Sequence, residues 1–263
     1  MATPARTLLF DLDGTVYLRG VLYPGVPELV ARLEAAGLQY GFLTNNSSVG
    51  PDAYVRRLRA QGLAIGRQHV LTSAEATCAM LAGLGLGPDL YIVGTRAFRR
   101  FLAARGYLHS YERANAVLVG FDTELTYRKL TEATRLLLER RLPLVASHPD
   151  PVCPGPLPDA GMLLACFQAA DPAIRVAAVA GKPNRWIVEL VQQRFGCALD
   201  EVVMVGDRLD TDVAFAAAYG MRSILVLNGA PRPAPGEGPR PDAVAATIAD
   251  VGGACWPAAL GWT

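Results

Sequence analysis

Short apolar runs alternate with helix-length amphipathic segments along nearly all of the 263-residue sequence, and this rhythm leaves few folds open. A strand that must wait for a helix before its neighbour arrives pairs in parallel, so an α/β fold around a parallel sheet is expected. The strand candidates are Thr7–Phe10, Leu38–Leu43, Val176–Ala180, Val202–Val205 and Ile224–Leu227. Between them, Pro27 sits near the start of a helix and Gly37 just past its end. Pro51 opens a helix that stops near Gly62, and Pro183 opens one that Gly196 ends. Ser73 is read as the cap of a helix running through Met80, and Thr211 as the cap of an alanine-rich helix ended by Gly220. Five prolines and three glycines between Gly229 and Pro241 predict a loop.

The rhythm restarts in the middle of the chain. Near Gly83–Pro88 the helical pattern breaks, and strands are expected at Leu90–Val93, Ala116–Phe121 and Leu144–Ser147, with helices between and after them. A stretch of about 85 residues suffices for a small domain. The organisation expected is a core built from residues 1–87 and 175–263, with an α/β domain, 88–174, inserted into it.

Apolar residues make up 51% of the chain, enough for a substantial core. A formal net charge of +1 supplies no basic field for a nucleic-acid backbone, and no nucleic-acid partner is expected. The N-terminal residues lack the charged-then-apolar layout of a signal peptide. No apolar run reaches the roughly 18 residues of a membrane span, so no membrane partner is expected. The five cysteines, Cys78, Cys153, Cys166, Cys197 and Cys255, are odd in number and scattered, which fits reduced thiols in a cytoplasmic protein. His69, His109 and His148 are too widely spaced for a local zinc motif.

Four polar motifs each close a predicted strand. Asp11-Leu12-Asp13-Gly14-Thr15 follows Leu8–Phe10, at the strand end where ligands bind in an open parallel sheet. Two carboxylates so close repel, and keeping both ionised calls for a cation. Thr44-Asn45-Asn46 closes the second strand with a hydroxyl, amides and backbone N–H groups that can take phosphate oxygens; an ordinary polar turn reads equally well in isolation. Gly181-Lys182-Pro183 presents an ammonium between strand and helix, as either a phosphate-binding point charge or a surface lysine. Gly206-Asp207 ends the most apolar strand, so Asp207 can join Asp11 and Asp13 in an oxygen-rich Mg²⁺ site. Asp212 can hold the ion's waters or serve as a helix-start carboxylate, and Asp210 is expected in solvent. Any one motif arises easily by chance; the four in this order do not.

These motifs resemble those of the haloacid-dehalogenase superfamily of phosphohydrolases, in its p-nitrophenyl phosphatase or NagD-type branch. The resemblance spans FDLDGTVY (10–17), LTNNSS (43–48), TSAEAT (72–77), GFDTELTYRKL (120–130), GKP (181–183), VGDRLDTD (205–212) and PDAV (241–244). It implies a Rossmann-like, doubly wound parallel-sheet core with an inserted α/β cap of the C2 type. It also implies that Asp11 attacks phosphorus and becomes aspartyl-phosphate, while Asp13 protonates the leaving alcohol and later activates water. Mg²⁺ would be held by Asp11, the Asp13 backbone carbonyl and Asp207, with Asp212 nearby; Thr44, Asn45, Asn46 and Lys182 would take the phosphoryl oxygens. The cap departs from its usual Asn-Pro-Asp at His148-Pro149-Asp150, which bears on the substrate and not on the reaction. The expected activity is hydrolysis of a small phosphorylated metabolite, such as a nucleotide, a sugar phosphate, phosphoglycolate or p-nitrophenyl phosphate. A homodimer through the cap fits the same resemblance. A phosphotransferase or mutase using the same site is the alternative, and a non-catalytic ligand-binding module a more distant one.

Overall fold

A computed structural model describes residues 5–153, 156–234 and 236–251. In chain order the principal strands are β1 (Thr7–Asp11), β2 (Gln39–Thr44), β3 (Val70–Thr72), β4 (Asp89–Val93), β5 (Leu108–His109), β6 (Val117–Val119), β7 (Leu144–Ala146), β8 (Val176–Val179), β9 (Val202–Gly206), β10 (Arg222–Val226) and β11 (Ala243–Ala245). The α-helices are α1 (Val26–Ala35), α2 (Pro51–Arg59), α3 (Ser73–Gly83), α4 (Arg96–Ala103), α5 (Tyr127–Glu139), α6 (Ala160–Ala170), α7 (Arg185–Phe195) and α8 (Ala214–Ala218). The chain divides into two compact units. One comprises Met1–Thr44, Asp52–Leu71 and Val191–Thr263; the other comprises Asn45–Pro51 and Thr72–Leu190.

The first unit is organised by a six-stranded sheet in the order β11-β10-β9-β1-β2-β3. β1 lies centrally because Leu8, Leu9 and Phe10 are apolar on both faces, as a strand covered on each side must be. It pairs in parallel with β9 and β2, placing Phe10 opposite Val205 and Phe42. The chain leaves β1 toward β2 on one side and returns through β9 on the other. That reversal is a topological switch point, and the polar ends of β1, β2 and β9 emerge there on one sheet edge. Helix α1 buries Val26, Leu29, Val30 and Leu33, the i, i+3, i+4, i+7 stripe of a surface helix.

The second unit is built on a five-stranded sheet in the order β8-β7-β6-β4-β5. Tyr91, Val93, Val117, Val119, Leu136, Phe167 and their neighbours form its core. Side chains satisfy the exposed N–H groups at several helix starts: Thr95 caps α4 by accepting from Phe98 N at 3.0 Å, and Thr126 caps α5 by accepting from Lys129 N at 3.2 Å.

The architecture is the doubly wound parallel α/β fold expected of the sequence, with four local differences. β8 pairs with β7 in the second sheet, although the sequence assigns Val176–Ala180 to the core. The sequence reading holds no strand at β3, β5 or β11; each is two or three residues long, too short for alternation to register. The cap of α3 is Thr72, which forms a reciprocal box with Glu75, while the Ser73 hydroxyl donates to Asn45 O at 2.5 Å. Thr211 caps nothing: it is buried inside a π-helical turn, Leu209–Val213, that precedes α8. Among the described residues Cys78, Cys166 and Cys197 are not joined in disulfides, and Cys255 lies outside the described residues. No described helix is long and apolar enough to cross a membrane.

Candidate active site

Asp11 is the last residue of β1 and Asp207 directly follows β9; because these strands are neighbours in register, both carboxylates leave the sheet at one end. The π-helical turn brings Asp212 back to the same place. One carboxylate oxygen from each of Asp11, Asp207 and Asp212 lies within 4.8 Å of the other two. Three carboxylates so near one another repel when ionised, a cation between them relieves that repulsion, and an all-oxygen donor set suits a hard divalent ion. The acidic cluster therefore fits such an ion on its own chemistry.

The cluster is held from several directions. Thr15 Oγ1 donates to Asp207 Oδ1 at 2.9 Å, and the Arg208 backbone N–H donates to Asp212 Oδ2 at 3.2 Å. Two glycines leave it room. A Cβ at Gly14 would collide with the Asp207 carboxylate, and one at Gly206 with that of Asp212. Gly14 also has φ +93°, where L side chains are strained. Asp210 stands apart, paired to Arg208 at 2.8 Å on the surface; that hydrogen bond holds its carboxyl below the ordinary range.

Asp13 is not one of the three clustered carboxylates. Its Oδ2 accepts from the Tyr17 hydroxyl at 3.1 Å, which aims the side chain four residues along its own loop. Tyr17 is fully buried, and burial first, then the charge of Asp13, pushes its hydroxyl far above the usual tyrosine range. The tyrosine is thus held in its protonated form, as the donor to Asp13. Thr44 closes β2 in the same unit and is buried.

Asn45, Asn46 and Lys182 belong to the second unit. The Asn45 carboxamide runs between two segments: Oδ1 accepts from Lys182 N at 2.8 Å, and Nδ2 donates to Asp150 Oδ2 at 2.7 Å and Lys182 O at 3.1 Å. It locks the backbone from which the buried Lys182 side chain springs, so its geometry is that of a clamp. Asn46 folds back instead, its Oδ1 accepting from Ser48 N at 2.9 Å and Ser48 Oγ at 2.6 Å. His148 is wholly buried, with Nδ1 2.8 Å from Ser147 Oγ and Nε2 2.7 Å from Asp159 Oδ1. Both ring nitrogens are thus engaged inside the second unit, one by the preceding serine and the other by the residue that caps α6.

Two residues of this machinery escaped the sequence reading. Asp150 was noted only as part of His-Pro-Asp, and its link to Asn45 spans 105 positions that no local pattern connects. Tyr17 lies four residues after Asp13, and the only available signal was an aromatic hydroxyl inside the first motif.

The fold and this carboxylate edge place the chain in the haloacid dehalogenase-like hydrolase family, to which it belongs: that family's model matches residues 8–108, and a second, HAD-hydrolase-like model matches residues 179–251. Within the family it lies in the branch of p-nitrophenyl phosphatases and NagD proteins. Among curated proteins it is 34% identical to human glycerol-3-phosphate phosphatase over 255 residues, covering 85% of this chain and 79% of that one. Among solved structures it resembles 4-nitrophenylphosphatase from Thermotoga maritima, with 35% identity, a TM-score of 0.85, and 94% and 96% of the two chains covered. It is also similar to glycerol phosphate phosphatase from Mycobacterium tuberculosis, solved in complex with calcium. There the identity is 30%, the TM-score 0.80, and the coverage 94% of this chain and 74% of that one.

Proposed function

We propose that the chain is a magnesium-dependent phosphatase that hydrolyses small phosphomonoesters through an aspartyl-phosphate on Asp11. The observation that carries this reading is the meeting of Asp11, Asp207 and Asp212 within 4.8 Å at the switch-point edge. Mg²⁺ bound there would offset the repulsion between an anionic nucleophile and an anionic substrate. Asp11 then attacks phosphorus, and covalent catalysis divides one hard displacement into two easier ones. Asp13, oriented by the Tyr17 hydroxyl, gives its proton to the departing alkoxide and afterwards takes one from the water that hydrolyses the acyl phosphate. Lys182 is assigned the phosphoryl oxygens, with Thr44 and Asn46; Asn45 supports this step by holding the Lys182 backbone.

Glycerol 3-phosphate is the first substrate to test, because the human relative is named for it and the mycobacterial one for glycerol phosphate. Nucleotides, sugar phosphates and phosphoglycolate follow it in the panel, with residues 88–174 proposed as the cap that chooses among them. A cytoplasmic location and a homodimer joined through that cap complete the reading.

The test is phosphate release from p-nitrophenyl phosphate with Mg²⁺, with EDTA, and in Asp11→Asn. Turnover is expected only with the ion present and the carboxylate intact. Near-native turnover by Asp11→Asn removes the covalent route.

A further inference from the structure

We propose that Asn228 is a positioning residue for the cation site: its carboxamide holds the Gly14–Thr15 turn in the place from which Thr15 orients Asp207. Resting on the metal-dependent reading above, this assigns a role to a residue 16 positions beyond the last acidic motif, in a segment with no motif of its own.

Asn228 follows β10 by two residues and is half-buried, with φ 44°. In that left-handed region a side chain with a Cβ is strained, and asparagine is one of the few residues to adopt it readily. The backbone is tied into the sheet end, Asn228 N donating to Ala246 O at 2.9 Å. All three hydrogen-bonding capacities that the side chain shows are directed. Nδ2 donates to Gly14 O at 2.9 Å and to Thr15 O at 3.0 Å, and Oδ1 accepts from Ile248 N at 3.0 Å. One NH₂ group thus grips two consecutive carbonyls of the first motif. The acceptor on the same amide anchors it to the segment after β11.

The grip matters because of what the turn carries. Thr15 Oγ1 donates to Asp207 Oδ1, so the Thr15 backbone sets where that carboxylate points. Gly14 has no Cβ and sits against the same carboxylate. Pulling both carbonyls toward Asn228 keeps Gly14 and Thr15 in contact with Asp207. Release would let the turn relax and leave one ligand of the cluster without its orienting donor. Partners that orient ligating carboxylates from behind typically change metal affinity by about 10- to 100-fold when removed.

Two variants separate positioning from scaffolding. Asn228→Gly removes the carboxamide and keeps a residue at ease with positive φ. Asn228→Asp keeps the shape and the acceptor for Ile248 N but turns the donor into a carboxylate facing two carbonyls. On charge alone the aspartate would strengthen cation binding, so a weaker site in both variants reports geometry. Mg²⁺ and Ca²⁺ binding is measured by titration calorimetry without substrate, beside the thermal midpoint and p-nitrophenyl phosphate kinetics. Expected are an affinity about 10-fold or more below native in both variants, a midpoint within a few degrees of native, and a loss in Asn228→Gly that saturating Mg²⁺ restores in kcat with little change in KM. Native affinity in either folded variant overturns the proposal. Should neither variant fold, Thr15→Val tests the same link from its other end; native affinity there overturns it equally. A native protein that binds metal without turning over substrate sinks the phosphatase reading while leaving the role of Asn228 to be decided by calorimetry.

Discussion

A methyl group added at position 14 would meet the Asp207 carboxylate, and one added at position 206 would meet that of Asp212, yet the two glycines are required for different reasons. Gly14 lies at φ +93°, so Gly14→Ala bears a backbone penalty of about 1–2 kcal/mol in addition to the clash. Gly206 closes β9 without a positive φ, and there only the clash acts. Both alanine variants are expected to weaken Ca²⁺ binding, but only Gly14→Ala should also lose this much stability in urea. Equal stability losses would mean that backbone strain does not distinguish the two sites. At this scale the sequence was informative wherever a motif was contiguous. Asp11 and Asp207 could be named from their strand-end positions, and the structure brings their side chains together with that of Asp212, which the sequence left open between the ion's waters and a helix start, while Asp13 turns aside to Tyr17. What stayed hidden was each side chain's partner. Nothing local reveals that Asn45 spends its amide on Lys182 and Asp150, or that Asn228 reaches back over 200 positions to Gly14.

At the scale of the element, edges and short strands carry most of the differences from the sequence reading. β8 shows little of the continuous apolar burial of β1 or β9, being partly exposed along its length as an edge strand is. Its place at the rim of the second sheet is a matter of pairing, which hydrophobic pattern alone does not encode. The opposite edge of that sheet holds a titrating group. His109 in β5 accepts the Ile92 N–H of β4 through Nδ1 at 3.0 Å and lies 4.9 Å from the Tyr91 ring. Burial, then the charge of Arg99 with a smaller push from Lys129, lowers its pKa to about 4, against the opposing pull of Glu132 and Glu112. Protonation would also remove the acceptor that Ile92 needs. A histidine lowered in the folded state stabilises above its ordinary pKa of roughly 6.5 and loses that contribution as pH falls toward 4, because the unfolded chain takes up the proton first. His109 as a residue remains exposed, so solvent screening reduces the effect and a modest slope is expected. The thermal midpoint of the native protein should fall more between pH 6.5 and 4 than that of His109→Gln, which can still accept from Ile92. His69, lowered by burial in the same direction, is common to both proteins and cancels in the difference. Parallel curves would show that His109 titrates alike in the folded and the unfolded chain.

At the scale of the whole molecule, the repeated strand–helix rhythm was enough to give a parallel α/β fold and a second α/β region within it, because periodicity accumulates over many residues and outlasts local error. The division of the chain into units follows contacts instead, and those draw the segment after β2 and the start of α7 into the second unit. The acidic cluster, by contrast, lies wholly in the first unit, along with Asn228 and both of the glycines that make room for it. A ligand that binds only the folded form protects whatever must open for its site to be lost. Ca²⁺ without substrate should therefore slow amide exchange in β1, β9 and the turn from Arg208 to Val213. Exchange in β4, β6 and β7 should stay as it was, provided that the units open separately. Protection of β6 and β7 equal to that of β1 would show the two units opening as one cooperative block, with ion binding in one felt throughout the other. Protection confined to β6 and β7 would place the ion away from Asp11, Asp207 and Asp212, and the reading of Asp11 as a metal-assisted nucleophile would fall with it.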